Sequence, residues 1–138
     1  MSSPVSLRLP AETRAAIDAV VRRTGRDFSS VTNEMLAEAV KMRRIPGIVF
    51  ADSPSGRTAR IGGSGLDVWE VIAEYQARGQ EWDRLRQSFH WLSEAQLRSA
   101  LAYAAAYPEE IAAALHDEAS WTPERVWSTY PFTKPPAH

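Results

Sequence analysis

Three histidines are the side chains of this sequence best suited to acid–base or metal chemistry near neutral pH, but nothing groups them. His90, His116 and His138 are far apart and lack the spacing of metal ligands. Glu109 and Glu110 are adjacent carboxylates, which is typical of a first helical turn and not of an acid–base pair. The signatures of serine hydrolases, zinc proteases and P-loops do not occur. We therefore expect no enzyme, no metal and no cofactor.

The composition limits the class of protein. The chain has 138 residues, 44% of them hydrophobic, and no cysteine. It can form one ordinary domain or two small ones with buried cores. Without cysteine it has no disulfides, which suits a reducing cytoplasm, where we expect the protein. No secretory signal is visible, and no apolar run approaches the roughly 18 residues of a membrane span.

Charge is distributed unevenly along the chain. Residues 1–44 carry eight Lys or Arg against five Asp or Glu, and residues 45–138 carry eight against twelve. A basic first segment permits a polyanionic partner, although an excess of this size is also ordinary surface charge.

The first 44 residues show a strand pattern followed by two helix patterns. In PVSLRLP, residues 4–10, Val5, Leu7 and Leu9 alternate with Ser6 and Arg8, which predicts a half-buried strand. The first helix is expected to end at Gly25 and the second to begin after Ser29 as N-cap. About 40 residues cannot bury a stable core alone. We therefore expect two copies to pair their strands antiparallel, with four helices closing over the apolar face.

At these residues the sequence resembles a ribbon-helix-helix DNA-binding domain, over about residues 3–43. The resemblance is carried by V-S-L-R-L-P, by T-G-R at the end of the first helix, and by S-S-V-T-N-E-M-L-A-E-A-V. It implies a homodimer, or a larger assembly along the DNA, that binds double-stranded operator DNA. Outward residues of the paired strands enter the major groove, which carries over to Pro4, Ser6 and Arg8. The first turn of the second helix holds a backbone phosphate, which carries over to Ser29 and Ser30.

General chemistry agrees with these roles, because arginine can bond a guanine edge and helix N-terminal amides favour phosphate. Two residues depart from the family pattern. Pro4 has no side-chain donor, and Asp27 places a negative charge near the expected phosphate. The alternative is that Ser6 and Arg8 are only the solvated face of a dimerisation ribbon.

The second segment, residues 45–116, is predicted to contain a hairpin and a tri-helical unit. Short β-prone runs at 48–50 and 58–61 flank the turn residues SPSG. Helices are expected near 67–78 and 81–89, and a third after Ser93, where S-E-A-Q is a capping box. Pro108 either kinks this helix or opens a new one. Acidic residues crowd the arginines of these helices, which favours structural and partner-binding roles over DNA binding.

This segment resembles a family of small bacterial domains with a helix-turn-helix-like core and a formal name that admits unknown function. The most specific stretch is L-S-E-A-Q-L-R-S-A-L-A-Y-A-A-A-Y-P-E-E-I, residues 92–111. Members commonly occur as antitoxin-like partners of PIN-type ribonuclease toxins. The resemblance implies a type II antitoxin of mainly α fold.

Residues 117–138 form an aromatic, proline-rich tail. Thr122 and the proline after it are typical of a helix start. Large aromatics of this density mark either packing onto the parent domain or insertion into a partner. The second possibility makes the tail the toxin-binding segment, with Trp121, Trp127, Tyr130 and Phe132 as its candidate anchors.

The sequence thus predicts a dimeric antitoxin that represses its own operator and neutralises a PIN-type ribonuclease through its C-terminal part. One alternative is a plain dimeric repressor whose second domain senses something other than a toxin. Another is a small enzyme or ligand-binding protein that uses the tryptophan-rich surface.

Overall fold

The computed structural model describes residues 3–137, and 61% of the structure is helical. The described residues contain seven α-helices, one short 3-10 helix and one two-stranded antiparallel sheet. The prediction of a mainly α fold with a small hairpin is confirmed. The chain divides into two compact units between Arg44 and Ile45.

The first unit contains helices α1 (Ala11–Thr24) and α2 (Phe28–Arg44). Gly25 ends α1 in the left-handed conformation, with φ of 70°, and its amide donates to the Val21 carbonyl at 2.9 Å. Among the described residues of this unit, the buried apolar side chains are Ile17 and Val31. Two buried side chains form a very small core for a unit of this length.

The strand predicted over residues 4–10 is not formed within the single chain. Residues 3–10 have no regular secondary structure, and within residues 3–137 no backbone hydrogen bond reaches residues 4–9. The physical reason is that a strand exists only when a second strand pairs with its backbone groups. Residues 4–10 therefore have the apolar–polar alternation of a strand, but no second strand pairs with them within the described part of the single chain.

The second helix begins earlier than predicted, and its N-cap is not Ser29. Asp27 precedes α2, and its carboxylate accepts from the Ser30 amide at 2.8 Å. An aspartate side chain caps a helix at least as well as serine, so the chain enters the helix at Phe28. Ser29 consequently lies within the first turn.

The second unit opens with the predicted hairpin of β1 (Ile48–Ser53) and β2 (Gly56–Ile61). The strands pair antiparallel from Ile48 with Ile61 to Ser53 with Gly56, so Pro54 and Ser55 form the turn. Gly62 donates its amide to the Gly47 carbonyl at 2.8 Å, which closes the open end of the hairpin.

Four helices follow the hairpin in this unit: α3 (Val68–Ala77), α4 (Trp82–Ser88), α5 (Glu94–Ala106) and α6 (Pro108–Ala119). Ser93 caps α5 as predicted, with its hydroxyl accepting from the Gln96 amide at 3.1 Å. Pro108 opens α6 rather than kinking α5. The tail then contributes α7 (Pro123–Thr129), capped by Thr122, and a 3-10 turn at Pro131–Thr133.

The core of the second unit forms where the hairpin and helices meet. Tyr103 is fully buried and packs its ring against Phe50 at 6.3 Å and Tyr107 at 4.9 Å. Around it lie buried aliphatic side chains from the hairpin and from α3 to α6, among them Ile61, Val68, Val71, Leu85, Leu97 and Ile111. This core fixes the hairpin and α6, which frame the cleft described below.

None of the helices within residues 3–137 combines the length and the apolar composition that crossing a membrane requires.

Candidate functional site

The N-terminal segment, residues 4–10, presents most of its polar and apolar side chains to solvent, and Leu9 is half-buried. Pro4, Ser6 and Arg8 are exposed. Val5 and Leu7 are also exposed, at 83% and 65% of their surface. Side chains of this kind are stabilised by roughly 1.5–3 kcal/mol each when fully buried, so their exposure leaves this free energy unused in the single chain.

Helix α2 adds a second exposed apolar row in the same unit. Leu36 and Val40, one turn apart, are each about half exposed at 52% and 51%, and Met35 and Met42 at 37% each. In a stably folded domain, a helix buries such an apolar stripe against its neighbours. The first unit therefore has uncovered apolar surface on both its extended segment and its second helix.

The start of α2 holds a carboxylate where a phosphate is expected. Ser30 donates its amide to Asp27 at 2.8 Å and its hydroxyl to the same carboxylate at 3.1 Å. These hydrogen bonds, the backbone one first, lower the pKa of Asp27 below its usual 3.8. Ser29 and Ser30 are brought together at the helix start, but the donors of Ser30 are already engaged by an ionised side chain.

Two of the three arginines of α4 and α5 that could contact DNA are paired with carboxylates. Arg84 lies 2.9 Å from Glu81, and Arg98 lies 2.7 Å from Glu94. The hydrogen bond and charge of Arg98 hold the pKa of Glu94 below its usual range. A surface of paired charges offers little net attraction for phosphate.

Three of the four predicted tail aromatics come together. Trp121 and Tyr130 stack with ring centroids 6.5 Å apart and planes 20° from parallel, and Phe132 meets Tyr130 edge-on at 6.1 Å. Phe132 is 84% exposed. Trp127 is half-buried on α7 and is outside this cluster among the described residues.

Trp121 and Tyr130 also line a cleft of about 780 Å³ in the second unit. Its walls are the hairpin tip from Ser53 to Ala59, one face of α6, the start of α3 and the tail. Trp69 on α3 contributes a third aromatic ring, and its Nε1 donates to the Asp67 carboxylate at 3.2 Å. We call this space the hairpin–tail cleft.

Acidic side chains predominate around the hairpin–tail cleft. Four carboxylates, Asp67, Glu110, Asp117 and Glu118, and a single basic residue, Arg57, line it. Sequence patterns did not single out this set, because its members lie on elements that are distant along the chain. The tail aromatics that line the cleft are different, because they belong to a group of aromatic residues that lie close together along the chain.

No group of three or more metal-ligating side chains lies close together in the described part of the chain. His90 instead meets the Trp91 ring edge-on, with centroids 5.2 Å apart, and His138 lies outside the described residues.

Residues 48–104 match a sequence family described as "Protein of unknown function (DUF433)". The match spans the hairpin and helices α3 to α5, leaving out the last residues of α5. No curated protein and no solved structure matches the chain.

Proposed function

We propose that this protein is a type II antitoxin and autorepressor. Two copies pair their N-terminal segments into a ribbon that enters the major groove of operator DNA. The second unit and the tail bind and inhibit a cognate toxin, a PIN-type ribonuclease.

One observation carries the DNA-binding half of this proposal. Val5 and Leu7 are solvent-exposed, alternate with Ser6 and Arg8, and have no backbone partner among the described residues. Pairing two such segments antiparallel satisfies the backbone groups and buries the apolar row against the exposed stripe of α2. The same pairing leaves Ser6 and Arg8 on the outer face, where a two-stranded ribbon meets base edges.

The partner-binding half is supported by the second unit and the family that its sequence resembles. This unit carries neutralised arginines and an acidic, aromatic-lined cleft, which suit a protein partner better than a nucleic acid. The resemblance of residues 46–116 to antitoxin-like domains indicates what kind of partner that is.

The test of DNA binding uses the segment upstream of the protein's own gene as probe, with a scrambled duplex as competitor. We expect the full chain to bind it as a dimer, with affinity that falls steeply as salt rises. Arg8→Ala should weaken binding about tenfold or more, as loss of a base contact does. Arg86→Ala removes an exposed arginine of α4 and should bind like the parent. Equal binding by the parent and Arg8→Ala would overturn base reading by the ribbon.

Toxin neutralisation is tested separately by co-expression with the adjacent open reading frame. We expect that frame alone to arrest growth and the pair to restore it and to co-purify. Growth arrest that persists despite expression of this chain would rule out the antitoxin role while leaving a repressor intact.

A further inference from the structure

We infer that the hairpin–tail cleft is a receptor for an extended, arginine- or lysine-bearing segment of the protein partner. The inference rests on the proposed partner-binding role of the second unit and gives that role a location and a chemistry. It also reverses the direction of insertion: two of the tail aromatics, Trp121 and Tyr130, line this chain's own cleft, and the partner supplies the segment that enters it.

The length of the cleft suits a peptide segment. On α6 its wall runs from Glu110 to Glu118 through Ile111 and Ala114, which lie on one helical face. Eight residues of helix rise about 12 Å. An extended chain covers that distance with about four residues, since each advances about 3.3 Å.

The charge of the cleft selects a basic segment. Asp67 is paired with Arg60 at 2.9 Å, and Arg57 with Asp52 at 3.2 Å. Asp117 and Glu118 are different, because within residues 3–137 neither carboxylate has an ion-pair or side-chain hydrogen-bond partner. Both are exposed in the last turn of α6.

That last turn is the unfavourable end of a helix for a carboxylate. The carbonyl end of a helix carries partial negative charge, so aspartate and glutamate there are repelled, and the helix would be more stable with neutral side chains. The two carboxylates and the helix end add their negative potentials at the mouth of the cleft. A cation entering from a partner relieves this repulsion.

The aromatic walls are held in place before any partner arrives. The Arg125 guanidinium lies 4.2 Å from the centre of the Trp121 ring, and Arg125 also hydrogen-bonds to Ser120. At the start of α3, Asp67 accepts from the Trp69 indole. Because these rings are already fixed, less side-chain entropy is lost when a partner binds. Indole and phenol rings also favour contact with cations and with the aliphatic part of lysine and arginine side chains.

The experiment measures binding of a fluorescein-labelled peptide of alternating leucine and arginine to the full chain, by anisotropy at low ionic strength. Two matched peptides carry serine or glutamate in place of arginine. The double variant Asp117→Asn/Glu118→Gln removes the unpaired carboxylates without shortening a side chain. Asp83→Asn/Glu109→Gln makes the same change in charge on exposed residues outside the cleft.

We expect the parent to bind the arginine peptide at least about tenfold more tightly than either matched peptide. The Asp117→Asn/Glu118→Gln variant should weaken that binding about fivefold, as loss of two partly exposed charge contacts does. The control variant should bind like the parent. Because neutral side chains suit the end of α6, a folding defect is not expected from the double variant.

Three results would overturn the inference: no binding of the arginine peptide, equal binding of the serine peptide, or equal binding by the double variant and the parent. The second result would indicate an uncharged apolar partner. Failure of the proposed function is distinguishable, because it appears as absent operator binding or absent rescue of growth while the peptide still binds the cleft.

Discussion

Asp27 is a single residue with opposite effects on folding and on the proposed DNA contact. Its carboxylate caps α2 through Ser30, and this favours the helix. The same negative charge lies where a DNA phosphate is expected to approach the helix N-terminus. Stability of the helix and affinity for DNA therefore compete at this position.

Replacing Asp27 by asparagine separates the two effects, because asparagine also caps helices but carries no charge. We expect Asp27→Asn to strengthen operator binding about threefold, since one repulsive contact with a phosphate is removed. Anisotropy titration with the operator duplex measures this, and Asp83→Asn on α4 is the matched control. Unchanged or weaker binding by Asp27→Asn would place the DNA backbone away from the start of α2.

The cap also gives the first unit a defined acid response. The hydrogen bonds from Ser30 lower the pKa of Asp27 in the folded chain below 3.8, the usual value for an unfolded aspartate. The stabilising contribution is therefore complete above about pH 3.8 and is lost as pH falls through the lowered folded value. In an NMR titration, the Ser30 amide signal should move with a midpoint below 3.8, and Asp27→Asn should abolish that movement.

At the scale of elements, the N-terminal segment is expected to decide whether the protein is a monomer or a dimer. The double variant Val5→Asp/Leu7→Asp places charges on the apolar row that pairing would bury. Sedimentation velocity at micromolar concentration should show a dimeric parent and a monomeric variant. Val49→Asp, an exposed apolar position on β1, should leave the dimer intact. A parent that sediments as a folded monomer would refute the ribbon.

Helix α5 offers an independent stability prediction in the second unit. Its capping box joins the Ser93 hydroxyl to the Gln96 amide and the Gln96 side chain to the Ser93 amide. Ser93→Ala leaves the first donors of the helix without this partner and should cost about 1 kcal/mol. Urea unfolding followed by tryptophan fluorescence measures the loss. Ser128→Ala, at an exposed position on α7, should change stability little.

Local chemistry explains which elements the sequence predicted well. The turn residues SPSG, the capping box at Ser93 and the Thr122 cap each act within a few residues, and each marks a real element boundary. Ser29 failed as a cap because Asp27, two residues earlier, competes for the same helix amides. The strand pattern of residues 4–10 lacks a partner in the single chain, so its interpretation depends on a second molecule.

The hairpin–tail cleft could not be predicted because it is a property of tertiary packing. It joins the hairpin tip, Trp69, the end of α6 and Tyr130, which no periodicity links along the chain. The tail aromatics are conspicuous in the sequence only by their density. Density does not decide whether they face the parent unit or a partner, and in the structure two of the four line the chain's own cleft.

At the scale of the whole molecule, we propose that the first unit binds DNA and the second binds a protein partner. The uneven charge fits this division, because Lys and Arg exceed Asp and Glu in residues 1–44 and the reverse holds in residues 45–138. The division requires that either activity can be removed without the other. A deletion that begins at residue 121 is suited to this test, because α6 ends at Ala119 and remains whole.

Deleting residues 121–138 should preserve operator binding and abolish both neutralisation of the toxin and binding of the leucine–arginine peptide.

Phe132→Ala then distinguishes two roles for the tail. Phe132 is highly exposed and does not line the cleft, so its loss should leave peptide binding unchanged if the tail acts as a wall. Trp121→Leu removes a wall residue and should weaken peptide binding severalfold. A large loss in Phe132→Ala with none in Trp121→Leu would instead make the tail an anchor that inserts into the partner.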